Sequence, residues 1–437
     1  MSGPKRWIML SSLWAVLFLN FGFTIYAPAV INVAMAKALG LDRQTLGEMF
    51  ALFMLMLGLP GPLVGLSVDR IGVRKTLALG SSLIVFGSLL MATIVAGGMG
   101  AVFCFGVLVG VGNATGALLP AQTGVARWFV RRRALALSLL YSGATLGGVA
   151  APPLADYLIQ KSGTWRTGWW LIAAASAVAA CIVLIFVRES AQDADVEAAA
   201  FNPSNSHVNQ SFDTRPEFVT RYDWTFRGAI RDRTYWLILC SFVGASAGKT
   251  VFLAHGVAHL QDLGHTATFA AWAVGTSTFT GLVGKAIFAT LGDRIDPRYL
   301  LAGFMACYGA GLSLIVTAHA AWQVSLSATC LGIGFGGGFV CLMTLLSNYY
   351  GIRAFPLLAG TMSAIPAALS AIIAIVAGRL FDSGVGYSVV FYVLAIWCVC
   401  SSVTLIVMHR PVCPVSPPID AIPLLCQRGT KSRRPFF

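Results

Sequence analysis

Long windows without a single charged side chain constrain this chain more than anything else in it. No Asp, Glu, Lys or Arg occurs between Trp7 and Ala36, or within 49–68, 76–126, 134–155, 167–187, 299–352, 354–378 and 383–409. A helix needs about 20 apolar residues to cross the hydrocarbon core of a bilayer, and each window supplies that length. The windows 76–126 and 299–352 are long enough for two spans each, and each has a breaker midway, AGGMG at 96–100 and TAHAA at 317–321. Two further apolar stretches each contain one lysine, Lys249 and Lys285, and with them the spans number twelve. Only helices and closed barrels satisfy the backbone in lipid, and runs this long lack the alternation of barrel strands. The expected fold class is therefore an all-α membrane protein of twelve transmembrane helices. Charged residues make up 11% of the chain, against about 25% in a soluble protein.

The net charge of +13 sets topology and is not a nucleic-acid signal. With the N-terminus in the cytoplasm, the short inner segments hold Lys5, Arg6, Arg70, Arg74, Lys75, Arg127, Arg131, Arg132, Arg133, Arg294, Arg298, Arg353 and the basic residues of the tail. The outer loops hold Lys37, Arg43, Lys161, Arg166 and Arg379. The positive-inside rule then places both termini in the cytoplasm of a multi-pass plasma-membrane protein, or of an inner-membrane one in a bacterium. The first apolar window is too long for a secretory signal and is the first helix. Of the ten cysteines, eight fall in spans and Cys413 and Cys426 in the inner tail, so no disulfide framework is expected.

The chain divides in the middle. Residues 188–233 form the one long polar interruption and read as a flexible cytoplasmic linker. Its end differs: Trp224, Phe226, Ile230, Tyr235 and Trp236 interleave with arginines, a pattern that suits a short helix on the membrane surface. The two halves repeat one another. SVDRIGVRK at 67–75 matches LGDRIDPR at 291–298. RWFVRRRALAL at 127–137 matches NYYGIRAFPLL at 348–358. Asp156 at the end of the fifth span matches Asp382 at the end of the eleventh. All three pairs stand about 220 residues apart. The expected organisation is an N-terminal six-helix bundle (1–187), the linker (188–233), a C-terminal six-helix bundle (234–410) and a basic cytoplasmic tail (411–437), with a midplane site between the pseudo-symmetric bundles.

Lys249 and Lys285 carry the functional argument. All 17 Asp and Glu fall at span ends, in loops or in tails. A charge at membrane depth is costly and marks a ligand site or a pathway by default. Cations kept there without acids beside them point to a counter-ion brought by the substrate. The plain alternative is a lysine that snorkels to an interface, and it weighs more heavily on Lys249 than on Lys285. Lys285 is therefore the primary anion-binding candidate and Lys249 the secondary one. Asn20, Tyr26 and Asn113 are weaker candidates for hydrogen bonds to the same substrate.

The most specific motif is Gly65-x-x-x-Asp69-Arg70-x-Gly72-x-Arg74-Lys75, in the short inner turn between the second and third spans. Gly65 permits close helix contact and Gly72 a tight turn. Asp69 can pair with arginine and accept from helix-end N–H groups, which would latch the inner face. Asp293 and Arg294 repeat the latch in the second half. On these residues the chain resembles the major facilitator superfamily, whose signature between the second and third helices is G-x-x-x-D-[RK]-x-G-x-[RK]-[RK]. More narrowly, it is similar to the oxalate–formate antiporter and monocarboxylate porter branch. That similarity rests on Arg127-Trp128-Phe129 with the arginine run, Ala134-Leu135-Ala136, Ser142-Gly143, Gly147-Gly148, the DWTF segment and the basic residue ahead of Gly292-Asp293-Arg294. The resemblance implies that a basic residue in the eighth helix binds the substrate carboxylate, and Lys285 stands at the matching position. Lysine keeps the charge there but not the bidentate fork of arginine. The aspartate that proton-coupled members carry one turn earlier is Gly281 here. The eleventh span offers Ser363 and Pro366 where the oxalate carrier has its second cation, which argues against a dicarboxylate.

His255 and His259 share a face of the seventh span. Too few ligands surround them for a metal, but His255 is a candidate proton relay because histidine titrates near neutrality. The glycine runs at 110–116 and 332–338 lack the strand that a dinucleotide fingerprint requires, so close helix packing is their expected role. The reading is a secondary transporter that moves a small organic anion, a monocarboxylate, by alternating access, with proton coupling, anion exchange and facilitated diffusion all open to it. It has no cofactor or nucleic-acid partner, is no enzyme, and works as a monomer in the lipid bilayer. The rivals are efflux of a drug-like compound and, in another class, a non-transporting membrane sensor on the same fold.

Overall fold

The computed structural model describes residues 3–41, 43–129, 132–189, 219–220, 224–382 and 386–411, and among these every regular element is a helix. In chain order the spans are α1 (3–39), α2 (43–71), α3 (Val73–Thr93), α4 (Gly98–Trp128), α5 (Arg133–Ser162) and α6 (Arg166–Phe186). The second half contributes α7 (Arg233–Asp262), α8 (Ala267–Leu291), α9 (Pro297–Val316), α10 (321–350), α11 (352–382) and α12 (Tyr387–Val407). Helices α10 and α11 run on from one another, divided at Gly351, whose φ of 79° is open to glycine and strained for other residues. Thr276, Ser277, Thr278, Thr280 and Lys285 give α8 a run of polar side chains within the span. The central linker between 190 and 218 and the tail beyond 411 lie outside the described residues.

The spans bend where their sequences require it. In α2, Pro60 and Pro62 interrupt the hydrogen-bond ladder, and the two pieces meet at 43°. Wider π-helical turns occur at Leu17–Gly22 in α1 and at Val102–Val109 in α4. In α4 the chain departs from helical geometry at Ala117, three residues ahead of Pro120. Because Pro120 lacks an N–H, the carbonyl of Gly116 loses its partner in the helix.

The glycine runs act as close-packing surfaces, as expected. A side chain at Gly332 or Gly336 in α10 would collide with the backbone of α8 at Ser277 and Gly281, and one at Gly116 would meet Gly80 of α3. Across the two halves, Gly58, Gly61 and Gly65 of α2 lie against Ser363, Gly360 and Pro356 of α11. The contact equivalent to this one by pseudo-symmetry, between α5 and α8, is also made.

With twelve spans, both ends of the described chain, the end of α6 and the start of α7 fall on one face, here called the terminal face. The last part of the linker belongs to the C-terminal half and does not lie free on a membrane surface. Trp224 is buried edge-on against Tyr350 at 5.3 Å, its backbone N–H donates to the Tyr350 carbonyl, and the helix that follows is a single turn, Phe226–Ala229. Tyr235 is core and Trp236 is exposed.

Candidate functional site

Lys285 of α8 crosses to the other half of the molecule, where its Nζ donates to Thr145 Oγ1 of α5 at 2.5 Å. Thr145 lies between Ser142-Gly143 and Gly147-Gly148, whose glycines pack against Trp14, Phe18, Gly22 and Tyr26 of α1. The small residues bring α5 close to α1 and leave the threonine turned toward α8. Lys249 of α7 lies over the ring of Phe335 in α10, 4.2 Å from its centroid, a cation–π contact. Lys249 keeps an accessible surface, although many protein atoms lie around it. The two ammonium groups lie within electrostatic reach of one another. Among the described residues neither is paired with a carboxylate.

Aromatic rings lie alongside the lysines. Phe335 stacks on Phe339 at 6.2 Å, and Phe339 also meets Tyr141 at 5.2 Å and Phe242 at 5.7 Å. The Tyr141 hydroxyl donates to Gln122 Oε1 of α4. Tyr26 is partly accessible, with its ring on Gly148. What results is a pair of cations above an apolar wall, with few hydrogen-bonding groups. It suits an anion with a small apolar body.

Asn20 and Asn113, expected to hydrogen-bond the substrate, each donate to neighbouring helices. Both are fully buried. Asn20 Nδ2 donates to the Gly116 carbonyl at 2.7 Å, which supplies the partner removed by Pro120, and to Ser81 Oγ at 2.8 Å. Asn113 Nδ2 donates to Thr24 Oγ1. These residues hold α1, α3 and α4 together. His255 stacks on Tyr387 of α12 at 4.9 Å, away from the lysines' partners, and His259 shares its Nε2 with the Ile315 carbonyl at 3.3 Å.

The latch residues fall on the terminal face. Asp69 pairs with Arg127 of α4 at 3.4 Å, within its own half, and both side chains are about a third exposed. Such a pair is worth ~1 kcal/mol or less. Gly72 has φ 90° and ψ 169°, a region essentially restricted to glycine. A side chain there would also collide with the carboxylate of Glu189, which accepts from the Arg74 N–H at 2.9 Å and caps the start of α3. Glu189 was not apparent from the motif, since it lies far along the chain past the end of α6. Arg70 and Arg294 are exposed.

Asp293 behaves differently from its counterpart Asp69. Its two oxygens accept the backbone N–H groups of Ala134 at 3.0 Å and Leu135 at 3.4 Å, so it caps α5 from the opposite half. Burial pushes its carboxyl above the usual carboxylate range, against the pull of those N–H groups and of Arg133 and Arg132. Beside it, the buried Arg133 donates to Asn348 Oδ1 at 2.9 Å and Ser347 Oγ at 3.2 Å of α10. These contacts tie the two halves together at the terminal face.

The comparisons with known proteins agree with this architecture. A family model described as Major Facilitator Superfamily matches residues 13–255 and 237–432. The chain belongs to the Major Facilitator Superfamily. Among curated relatives, the MFS transporter asaE of Aspergillus flavus is 30% identical over 168 residues, 38% of this chain and 37% of that protein. That match thus spans well under half the length of the relative. Monocarboxylate transporter 3 of Rattus norvegicus is 23% identical over 405 residues, 89% of this chain and 79% of that one. The Fujikurins efflux protein of Gibberella fujikuroi is 32% identical over 139 residues, 31% of this chain and 28% of that one. Among solved structures, the E. coli fucose:proton symporter FucP aligns with a TM-score of 0.67 at 14% identity, over 93% of this chain and 100% of that one. The human organic anion transporter MFSD10 aligns with a TM-score of 0.66 at 14% identity, over 92% and 99%. At these identities the structures speak for the fold alone.

Proposed function

We propose that this superfamily member is a secondary carrier of a small organic anion, a monocarboxylate, that works by alternating access. The contact that carries the reading is Lys285 donating to Thr145 across the two halves, in a region where no carboxylate pairs with it among the described residues. Lys285 is the anion-binding cation, Lys249 adds positive potential, and Tyr26 borders the same space. An anion that takes the Lys285 proton donor competes with Thr145, so binding loosens one contact between the bundles. This couples occupancy to rearrangement without an acid in the site. Similarity to a relative named monocarboxylate transporter 3 supports the substrate class. Proton coupling would then use the substrate itself or His255.

Efflux of an amphipathic compound is a second reading. Phe335, Phe339 and Tyr141 beside the lysines favour it, as does the likeness to a relative named as an efflux protein. A panel of labelled compounds offered to proteoliposomes separates the two. Monocarboxylates are expected to enter and lipophilic cations to stay out, and the reverse would favour efflux.

The basic residues of the terminal face support a cytoplasmic orientation for it. A single cysteine placed at Ser206, in the linker outside the described residues, is expected to resist an impermeant maleimide in intact cells carrying a cysteine-free background. Labelling from outside would reverse the orientation.

A further inference from the structure

An open groove of about 620 Å³ lies on the terminal face, away from Lys249 and Lys285, lined by Ile71, Arg74, Lys75, Ile185, Arg188 and Glu189. It forms where the turn between α2 and α3 meets the end of α6. Among the described residues three cations line it against one carboxylate, and that carboxylate is already engaged by the Arg74 backbone N–H. The Arg74 guanidinium donates to the carbonyl of Leu184. Among the described residues Lys75 and Arg188 are exposed, with no hydrogen bond or ion pair. The apolar part of the lining is exposed too, Ile71 at 42% and Ile185 at 64%. Leu184 and Phe186 beside them are exposed in the same way. Because α6 ends at Phe186, these side chains stand where acyl chains give way to headgroups.

We propose that this groove binds an anionic phospholipid, with its phosphate on Lys75, Arg188 and Arg74 and its acyl chains along Ile71 and Ile185. A basic recess at a helix end on the membrane surface is the setting in which anionic headgroups are held. The exposed isoleucines favour a lipid over a soluble anion, since they offer surface only to hydrocarbon. A zwitterionic lipid would bring its own ammonium into a recess that is already cationic. Arg74 and Lys75 belong to the latch turn and Arg188 to the end of α6, so the bound lipid joins the two at the start of α3.

The test is native mass spectrometry of the full-length protein, released from detergent after incubation with equal amounts of phosphatidylglycerol and phosphatidylcholine. The parent is expected to retain phosphatidylglycerol in preference. Arg188→Gln, outside the latch motif, should retain about fivefold less, the effect of one cation near a charged headgroup. Arg188→Lys should retain the lipid, which keeps the test informative should the glutamine variant fold poorly. Ile185→Ser should also retain less, and Arg231→Gln, an exposed cation of the other half, should match the parent. Equal retention of the two lipids, or equal losses in Arg188→Gln and Arg231→Gln, would overturn the proposal. Displacement of the lipid by millimolar glycerol phosphate would overturn it in favour of a soluble anion.

Discussion

Lys285→Gln is expected to abolish uptake of an anionic substrate at unchanged expression, whereas Lys285→Arg retains part of it. The ammonium is the group of α8 that reaches across to α5, and its present partner, the Thr145 hydroxyl, is neutral. A charge–hydrogen-bond contact of this kind contributes roughly 1.5–3 kcal/mol, or about one to two decades in affinity. Glutamine can still donate to Thr145, so the contact between the bundles survives while the charge is lost. Arginine restores the charge with a different shape, and a site that uses lysine as a point charge tolerates it in part. The measurement is initial uptake rate against substrate concentration in proteoliposomes for all three proteins. Near-parental transport by Lys285→Gln would mean that the side chain only anchors α8.

The second large effect is expected at Asp293. Asp293→Ala leaves the N–H groups of Ala134 and Leu135 without acceptors at the buried junction between α5 and α8, at a cost of about 1–3 kcal/mol to the closed terminal face. That shifts the balance between closed and open faces by about 5- to 150-fold. Asp293→Asn keeps an acceptor and should fall between alanine and the parent. Asp69→Ala should do less, because its partner Arg127 is exposed and lies in the same half. Maleimide labelling of a cysteine between the bundles, on the terminal side of Lys285, reports the open fraction. Asp69→Asn is expected to slow cycling while substrate binding survives. The pH dependence has a definite sign. The Asp293 carboxyl is raised in the closed state, so protonation favours closure. That contribution is present at low pH and is lost as pH rises through the raised range. Labelling should therefore fall as the terminal face is acidified, and in Asp293→Ala it should not respond.

Much of this fold was legible in the sequence because its constraint is simple. Uncharged windows of span length leave the backbone little but helix, and the breakers at 96–100 and 317–321 do separate α3 from α4 and α9 from α10. The repeat of Asp69 at Asp293 located both turns, but it hid their difference. One carboxylate stays within its half and the other reaches across, and only the packing of α8 against α5 decides that. The lysines were conspicuous because charge is rare in a span. Thr145, Phe335 and Glu189 were not, since hydroxyls, rings and terminal acids are common and their role depends on which helix lies opposite. Asn20 is a related case. Its value as a polar group in a span suggested a ligand, yet the partner that needs it is a carbonyl freed by Pro120, nearly a hundred residues away.

Counterflow tests the central claim most directly. Proteoliposomes holding the purified chain are loaded with an unlabelled monocarboxylate and diluted into a trace of the same compound labelled. Carrier-mediated exchange predicts a transient accumulation of label above its equilibrium level, absent in Lys285→Gln and undiminished by a dicarboxylate competitor. No accumulation for any monocarboxylate, together with accumulation of a lipophilic cation, would contradict the account.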